Sequence, residues 1–281
     1  IIGAGIGPLR LERGTGGWRM RWGGGIRGIG GFAAMVPREG RGESRRDDAV
    51  FLLGGPLANL VVASLAGAAL VLVPAGVTAT VALGATAFCG GLLGIVNLVP
   101  FRSTGWRSDG LGLVELFRDG VDSRAARRLQ QVVALSLAGV RPRDWPAAWL
   151  EVPDGLSPDV AVGAHALRLS HALDRGDDAA AAVSARFLAT AHPGIPDGQR
   201  QGIALMVAAY AAQSAADPGL LSAWRPLCEG GLLDLSASRA WLDAEVAAMA
   251  DDAASARDFA TRARAALPRV HDAGTVAVLQ E

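Results

Sequence analysis

One carboxylate stands out by its position. Asp109, followed by Gly110, lies eight residues beyond Phe101, where a run over residues 49–101 without Asp, Glu, Lys, Arg or His ends. An ionisable group at the edge of an apolar segment is costly to desolvate, and such groups tend to have a function. The plain alternative is a loop aspartate beside Arg107 in a surface turn. The run opens with Gly54-Gly55-Pro56-Leu57-Ala58-Asn59 and closes with Asn97-Leu98-Val99-Pro100. The histidines and cysteines are scattered. His165, His171, His192 and His271 all lie in the last third to half of the chain, and none has a partner at ligand spacing on a shared helix face. They read as ordinary helix or turn histidines. Cys89 and Cys228 are too far apart in sequence for a cysteine metal motif and read as unpaired thiols.

The elements that position Asp109 follow from the apolar run. A membrane-spanning helix needs about 20 apolar residues, so the run holds two. Val73-Pro74-Ala75-Gly76 divides it, because adjacent Pro and Gly mark a turn. The expected helices cover about 48–73 and 78–99. Gly54, Gly55, Gly84, Gly90, Gly91 and Gly94 are costly in a water-exposed helix, but let helix backbones approach in lipid. An apolar share of 51% and a positive mean hydropathy agree with a membrane protein. Arg38, Arg41, Arg45 and Arg46 precede the pair, and Arg102 and Arg107 follow it. The positive-inside rule then puts both ends in the cytoplasm. The expectation is a multi-pass protein of the bacterial cell membrane, with N-terminal segment and C-terminal domain cytoplasmic. Net charge is zero and every basic residue is Arg, so nothing suggests a nucleic-acid partner.

Residues 1–47 are rich in Gly and Arg. Gly3-Ala4-Gly5-Ile6-Gly7 lacks the third glycine and the following helix of a dinucleotide loop, since Pro8 comes next. Short strands are expected instead, at Ile6–Glu12, Trp18–Trp22 and Gly31–Val36. Trp18, Met20 and Trp22 share one face, and Arg19 and Arg21 the other. That suits either a membrane interface or a small soluble hairpin with an aromatic face. Beyond Gly110, Leu111–Phe117 reads as a short amphipathic helix, and residues 119–156 as a linker. From 157 onward the pattern is helical and Ala-rich. Helices are expected at Val160–Leu173, Asp177–Ala191, Gly198–Ala215, Gly219–Glu229, Ser236–Ala250 and Ala253–Ala266. Asp177-Asp178-Ala179-Ala180 echoes Asp251-Asp252-Ala253-Ala254, each before a helix that ends near a proline. Repeated helix pairs would give a tetratricopeptide-like domain; an undefined bundle is the alternative.

The motifs taken together, Gly54-Gly55-Pro56-Leu57-Ala58-Asn59-Leu60, Asn97-Leu98-Val99-Pro100 and Ser108-Asp109-Gly110, resemble the site-2 protease family (peptidase M50), intramembrane zinc metalloproteases. Gly30-Gly31-Phe32 and the strands before it are similar to that family's small membrane-associated sheet. The resemblance covers about residues 1–118. It implies a zinc ion held by two histidines of an HExxH helix and by Asp109. Asn97, Pro100, Gly110 and Asn59 would give substrate or structural support. Metal-activated water would then cleave a transmembrane protein substrate. The sequence departs from the family pattern in two ways. It contains no HExxH, which is expected just before Ile1, and the connection from Pro100 to Asp109 is longer than in compact members. The expected fold is mainly α: a small membrane-associated β segment (1–47), a membrane domain (48–118), a linker (119–156) and a cytoplasmic helical-repeat domain (157–281). The chain as given is expected to be inactive alone, its cofactor zinc bound only together with the HExxH segment. The competing expectation is a non-catalytic membrane-anchored scaffold whose helical tail binds a protein partner. A small transporter or channel fragment is a third reading, weakened by a hairpin without a polar line.

Overall fold

The computed structural model describes residues 3–6, 9–22, 31–34, 45–74, 76–103, 106–118, 120–196, 199–230 and 233–280. Gly7, Pro8, Gly30, Val36, Arg38, Arg41 and Ala75, which figure in the expectations above, lie outside them. The protein is mainly helical with a small N-terminal sheet. It divides into two compact units, residues 42–124 and residues 1–41 with 125–281. The β segment therefore groups with the C-terminal helices, not with the apolar helices that follow it in sequence.

The first unit is built on α1 (Arg45–Leu72) and α2 (Val77–Leu98), both long and apolar enough to cross a membrane. Asp47 and Asp48 sit in the first turn of α1, where the helix dipole favours negative charge. The two helices meet through small residues. A Cβ on Gly94 would stand 2.7 Å from Leu60 Cγ and 3.0 Å from the Pro56 carbonyl oxygen. One on Gly90 would stand 3.1 Å from the Asn59 carbonyl oxygen and 3.3 Å from Ala63 Cβ. Gly90 and Gly94, four residues apart, thus form one face that admits the α1 backbone. Gly54 and Gly84 have open space where a side chain would be, so their packing role differs from that of Gly90 and Gly94. Away from this seam the side chains are apolar and uncovered, as at Val71, Val77 and Phe88. Thr80 and Thr86 donate their hydroxyls to the carbonyls of Gly76 and Ala82, which hides both groups along the apolar helix.

The second unit carries the sheet and the tail. Strands β1 (Gly3–Ile6), β2 (Leu9–Gly14), β3 (Gly17–Trp22) and β4 (Gly31–Ala34) form an antiparallel sheet in the order β3-β2-β1-β4. The strand expected over Ile6–Glu12 is two strands, with Ile6 opposite Leu9 across the reversal. Alternation of apolar and polar residues continues on both sides of that reversal and does not mark it. The β2–β3 turn is seated on the C-terminal helices. Thr15 N–H donates to the Val270 carbonyl (2.8 Å), Gly16 N–H to the Pro268 carbonyl (3.0 Å), and His271 Nδ1 bonds the Arg13 carbonyl (2.6 Å). A Cβ on Gly14 would lie 2.4 Å from the Pro268 carbonyl oxygen, so only glycine allows this approach.

The tail holds α5 (Pro158–Arg175), α6 (Asp178–Ala191), α7 (Arg200–Gln213), α8 (Pro218–Trp224), α9 (Ser236–Met249), α10 (Ala253–Ala266) and α11 (Ala273–Leu279). Leu169, Leu188 and Val207 centre one core, and Leu221, Cys228 and Leu242 a second. The sequence echo is structural. Asp177 and Asp252 both cap helices, accepting from Ala180 N–H and Ser255 N–H at 3.0 Å. The residue before each has a left-handed backbone, Gly176 at φ 70° and Asp251 at φ 57°. Each following helix ends in a 3₁₀ turn with proline second, His192–Gly194 and Leu267–Arg269. The expected linker is not one. Residues 119–156 contain helix α4 (Val121–Leu137) and two 3₁₀ turns. Val132, Trp145 and Leu150 from this stretch form a buried cluster with Leu167 against it. The Arg- and Pro-rich composition concealed that apolar spacing.

Candidate functional site

The site begins where α2 stops. Val99 caps α2, and its N–H returns to the carbonyls of Ile95 and Val96. Pro100 follows, exposed, and the chain then doubles back as a two-residue-strand hairpin, β5 (Arg102–Ser103) and β6 (Trp106–Arg107). Ser108 closes this excursion. Its Oγ donates to the Val99 carbonyl (2.7 Å) and accepts from the N–H groups of Phe101 and Leu111 (both 3.1 Å). The same hydroxyl therefore ties the hairpin shut and caps the next helix, α3 (Asp109–Phe117). The extra residues between Pro100 and Asp109 are spent in this hairpin, which returns Asp109 to the exit of α2. Arg102 and Arg107, opposite each other across it, both reach Glu115 at 2.9 Å. One carboxylate thus relieves a like-charge pair and fastens the hairpin to α3.

Asp109 is the first residue of α3, where the helix dipole favours a carboxylate. It is half-buried. Burial pushes its carboxyl above the ordinary range, and the charge of Arg107 opposes that without cancelling it. Its Oδ2 faces α1 at Gly55: a Cβ there would lie 3.8 Å away. Two stretches far apart in sequence, Gly54-Gly55-Pro56 and Asp109-Gly110, are brought together. Gly110 is pressed against the end of α2, where a Cβ would stand 2.0 Å from the Leu98 carbonyl oxygen, and one on Gly112 would stand 3.1 Å from Leu52. Asn97 lies in the last turn of α2, partly buried. Asn59 is partly buried mid-way along α1, and its carbonyl meets Gly90 at the helix seam. Its place is at the α1–α2 contact. Sequence reasoning missed Ser108 and Glu115. A serine followed by an aspartate before an apolar run is a helix-start signal, and it was there to be read.

The histidines are structural in their contacts. His165 is buried, stacks on Phe187 with ring centroids 4.0 Å apart and lies 3.4 Å from Ser184 Oγ. His192 meets Trp224 edge-on, and His171 Nδ1 bonds the Pro142 carbonyl. Burial, then a nearby arginine, lowers the proton affinity of both His165 and His192. Among the described residues no group of three His, Cys, Asp or Glu could hold a metal ion. Zinc in a catalytic site takes three protein ligands. Asp109 offers one oxygen donor beside a residue without a side chain, so the described residues alone do not fit the metal.

In comparison with known proteins, no family model matches the chain, and no curated protein and no solved structure matches it.

Proposed function

We propose that the chain belongs to a site-2 protease-like intramembrane metallopeptidase, with Asp109 as its contribution to a zinc site. The observation that carries this is the placement of Asp109. A half-buried carboxylate stands at the exit of an apolar helix pair and faces Gly55, inside the Gly-Pro-Asn motif that the resemblance rests on. In this reading α1 and α2 cross the bacterial cell membrane. Their uncovered apolar side chains and internally bonded threonines support that. Zinc is the required cofactor, and its two nitrogen ligands belong to an HExxH segment. No hydrolytic step is assigned to this chain's own residues, whose part is to hold a carboxylate and the seam around it. The substrate is a transmembrane protein.

The sheet supports membrane contact independently. Its β2–β3 hairpin is turned inside out: Glu12 is 1% exposed, whereas Met20 and Trp22 are 74% and 78% exposed, with Leu9 and Leu11 beside them. A polar face turned inward and an aromatic face left uncovered suit a bilayer interface. The test uses the complete reading frame. Codons just upstream of Ile1 encode His-Glu-x-x-His on this reading, and Asp109→Asn abolishes processing of a membrane-spanning reporter at normal protein level. An upstream sequence without that motif, or unchanged processing in the Asp109→Asn protein, sinks it.

A second reading is favoured by the tail. Paired helices with matching caps and turns, α5–α6 and α9–α10, support a tetratricopeptide-like module that binds a protein partner, on a protein that acts as a membrane-anchored scaffold. Capture of a partner by the tail, with processing indifferent to Asp109, selects it.

A further inference from the structure

The tail has an open cavity of about 740 Å³ between α5, α7, α9, α10 and α11. That volume suits a short apolar segment, not a single ion. Its wall includes Met206, Val270 and Trp241, and three kinds of charged group. Most of these are already answered. Asp174 is held by Arg141, Asp234 by Arg19 and Arg21 at 3.6 Å, and Asp272 by Ser136 Oγ and Thr275 N–H. Arg264 is exposed at the mouth, where water screens it. Glu245 is different. It is partly buried, its interaction within the chain is with the Trp241 side chain, and no salt bridge reaches it among the described residues. Trp241 precedes Glu245 by four residues on α9, so both share one face.

We infer that this cavity binds a peptide segment carrying an arginine within an apolar stretch, with the guanidinium taken by Glu245 and the Trp241 ring. This deepens the partner-binding reading of the tail and does not depend on the protease reading. The indole N–H of Trp241 engages one side of the Glu245 carboxylate, whose remaining lone pairs match a guanidinium through charge-assisted hydrogen bonds, with the neighbouring ring adding cation–π attraction. Burial without a cation pushes the Glu245 carboxyl up, which a bound guanidinium would reverse. The chain already shows this chemistry on the same wall, where Asp234 receives two arginines from the β2–β3 hairpin. His271 lines the cavity as well. Its Nδ1 is committed to the Arg13 carbonyl, and its buried Nε2 has no partner in the protein. Asp234, Val270 and His271 thus belong to the cavity wall and to the hairpin seat together, so an occupant touches the residues that hold the hairpin.

The probe is a fluorescent, end-blocked octapeptide of leucine and serine with one central arginine, and two comparators carry citrulline or glutamate there. Binding is read by anisotropy on the whole protein in phosphatidylcholine nanodiscs, with empty discs as blank. The arginine peptide binds at least tenfold tighter than either comparator. In Glu245→Gln that preference vanishes while citrulline-peptide affinity is kept. Binding without preference for arginine overturns the cation assignment yet leaves a partner-binding tail. No binding by any peptide overturns the groove. Should the variant lose its fold by circular dichroism, hydrogen exchange on the wild-type protein decides: protection by the arginine peptide falls on α7 and α9, and protection elsewhere refutes the site. The same experiment reads the Thr15 and Gly16 amides, whose exchange changes severalfold on binding; unchanged exchange refutes contact with the hairpin seat.

Discussion

Gly110→Ala is the sharpest perturbation of the Asp109 site, because it leaves the carboxylate chemically untouched. The added Cβ would lie 2.0 Å from the Leu98 carbonyl oxygen and 2.5 Å from its carbonyl carbon. Both are backbone atoms of the last turn of α2, so no side chain can swing aside. An ordinary carbon–oxygen contact is about 3.4 Å, so α3 must retreat by roughly 1.4 Å to relieve the 2.0 Å approach. Overpacking of this kind costs about 1–3 kcal/mol. The retreat also moves Asp109, one residue away, off Gly55. A displacement of about 1 Å in a reacting group costs on the order of 10²-fold in rate. The assay is processing of a membrane-spanning reporter by the complete protein in native membranes, with protein level measured in parallel. A second readout needs no activity: oxidative cross-linking of a Gly55→Cys/Asp109→Cys pair in a Cys89→Ser background. On the protease reading Gly110→Ala lowers processing about 10²-fold, and on either reading it slows the cross-link. Gly84→Ala, at a position with nothing within 4 Å, changes neither. Normal cross-linking and normal processing in Gly110→Ala would refute the idea that the Gly110–Leu98 contact positions Asp109.

The remaining predictions concern the second unit. Burial alone would raise the Asp174 carboxyl, but hydrogen bonds from the Arg141 side chain and the Arg143 N–H, with both guanidinium charges, hold it below the usual range. Its folded pKa is then below the unfolded value of about 3.9, so its stabilisation is complete above that pH and drains as pH falls through the folded value. Asp174→Asn is therefore less stable than wild type at neutral pH, and the gap narrows in acid, read as Tm against pH; a gap that widens in acid contradicts the sign. Asp234→Asn loosens the hairpin seat, raising hydrogen exchange at Thr15 and Gly16 while amides in the α6 core stay protected. Leu188→Ala, at a fully buried site, costs about 2–5 kcal/mol by denaturant unfolding. Met20→Ser with Trp22→Ser, at exposed positions, leaves Tm within about 4 °C of wild type, since each surface substitution seldom exceeds about 0.5 kcal/mol. On the bilayer reading it also reduces the tryptophan blue shift expected in lipid.

The apolar helices were legible because composition alone marks them: expected limits of 48–73 and 78–99 stand against Arg45–Leu72 and Val77–Leu98. The Ala253–Ala266 helix was legible from its aspartate cap and its proline stop. What escaped was long-range. The Thr15–Val270 and Arg13–His271 bonds join residues more than 250 positions apart, and no local pattern announces them. The length of the Pro100–Asp109 connection does not reveal where Asp109 lies, since a hairpin adds chain without adding distance. The β2–β3 strands show the general limit. Alternation in Trp18-Arg19-Met20-Arg21-Trp22 reveals two faces, and the usual expectation turns the apolar one inward. Here the inward partner is Asp234, a carboxylate supplied from more than 200 residues away, and it draws Arg19 and Arg21 to it. Glu12 comes along, buried beside Arg21, and the tryptophans are left outward. Which face a strand buries is a property of its neighbour, so periodicity fixes the pairing of side chains and leaves the direction to the rest of the fold.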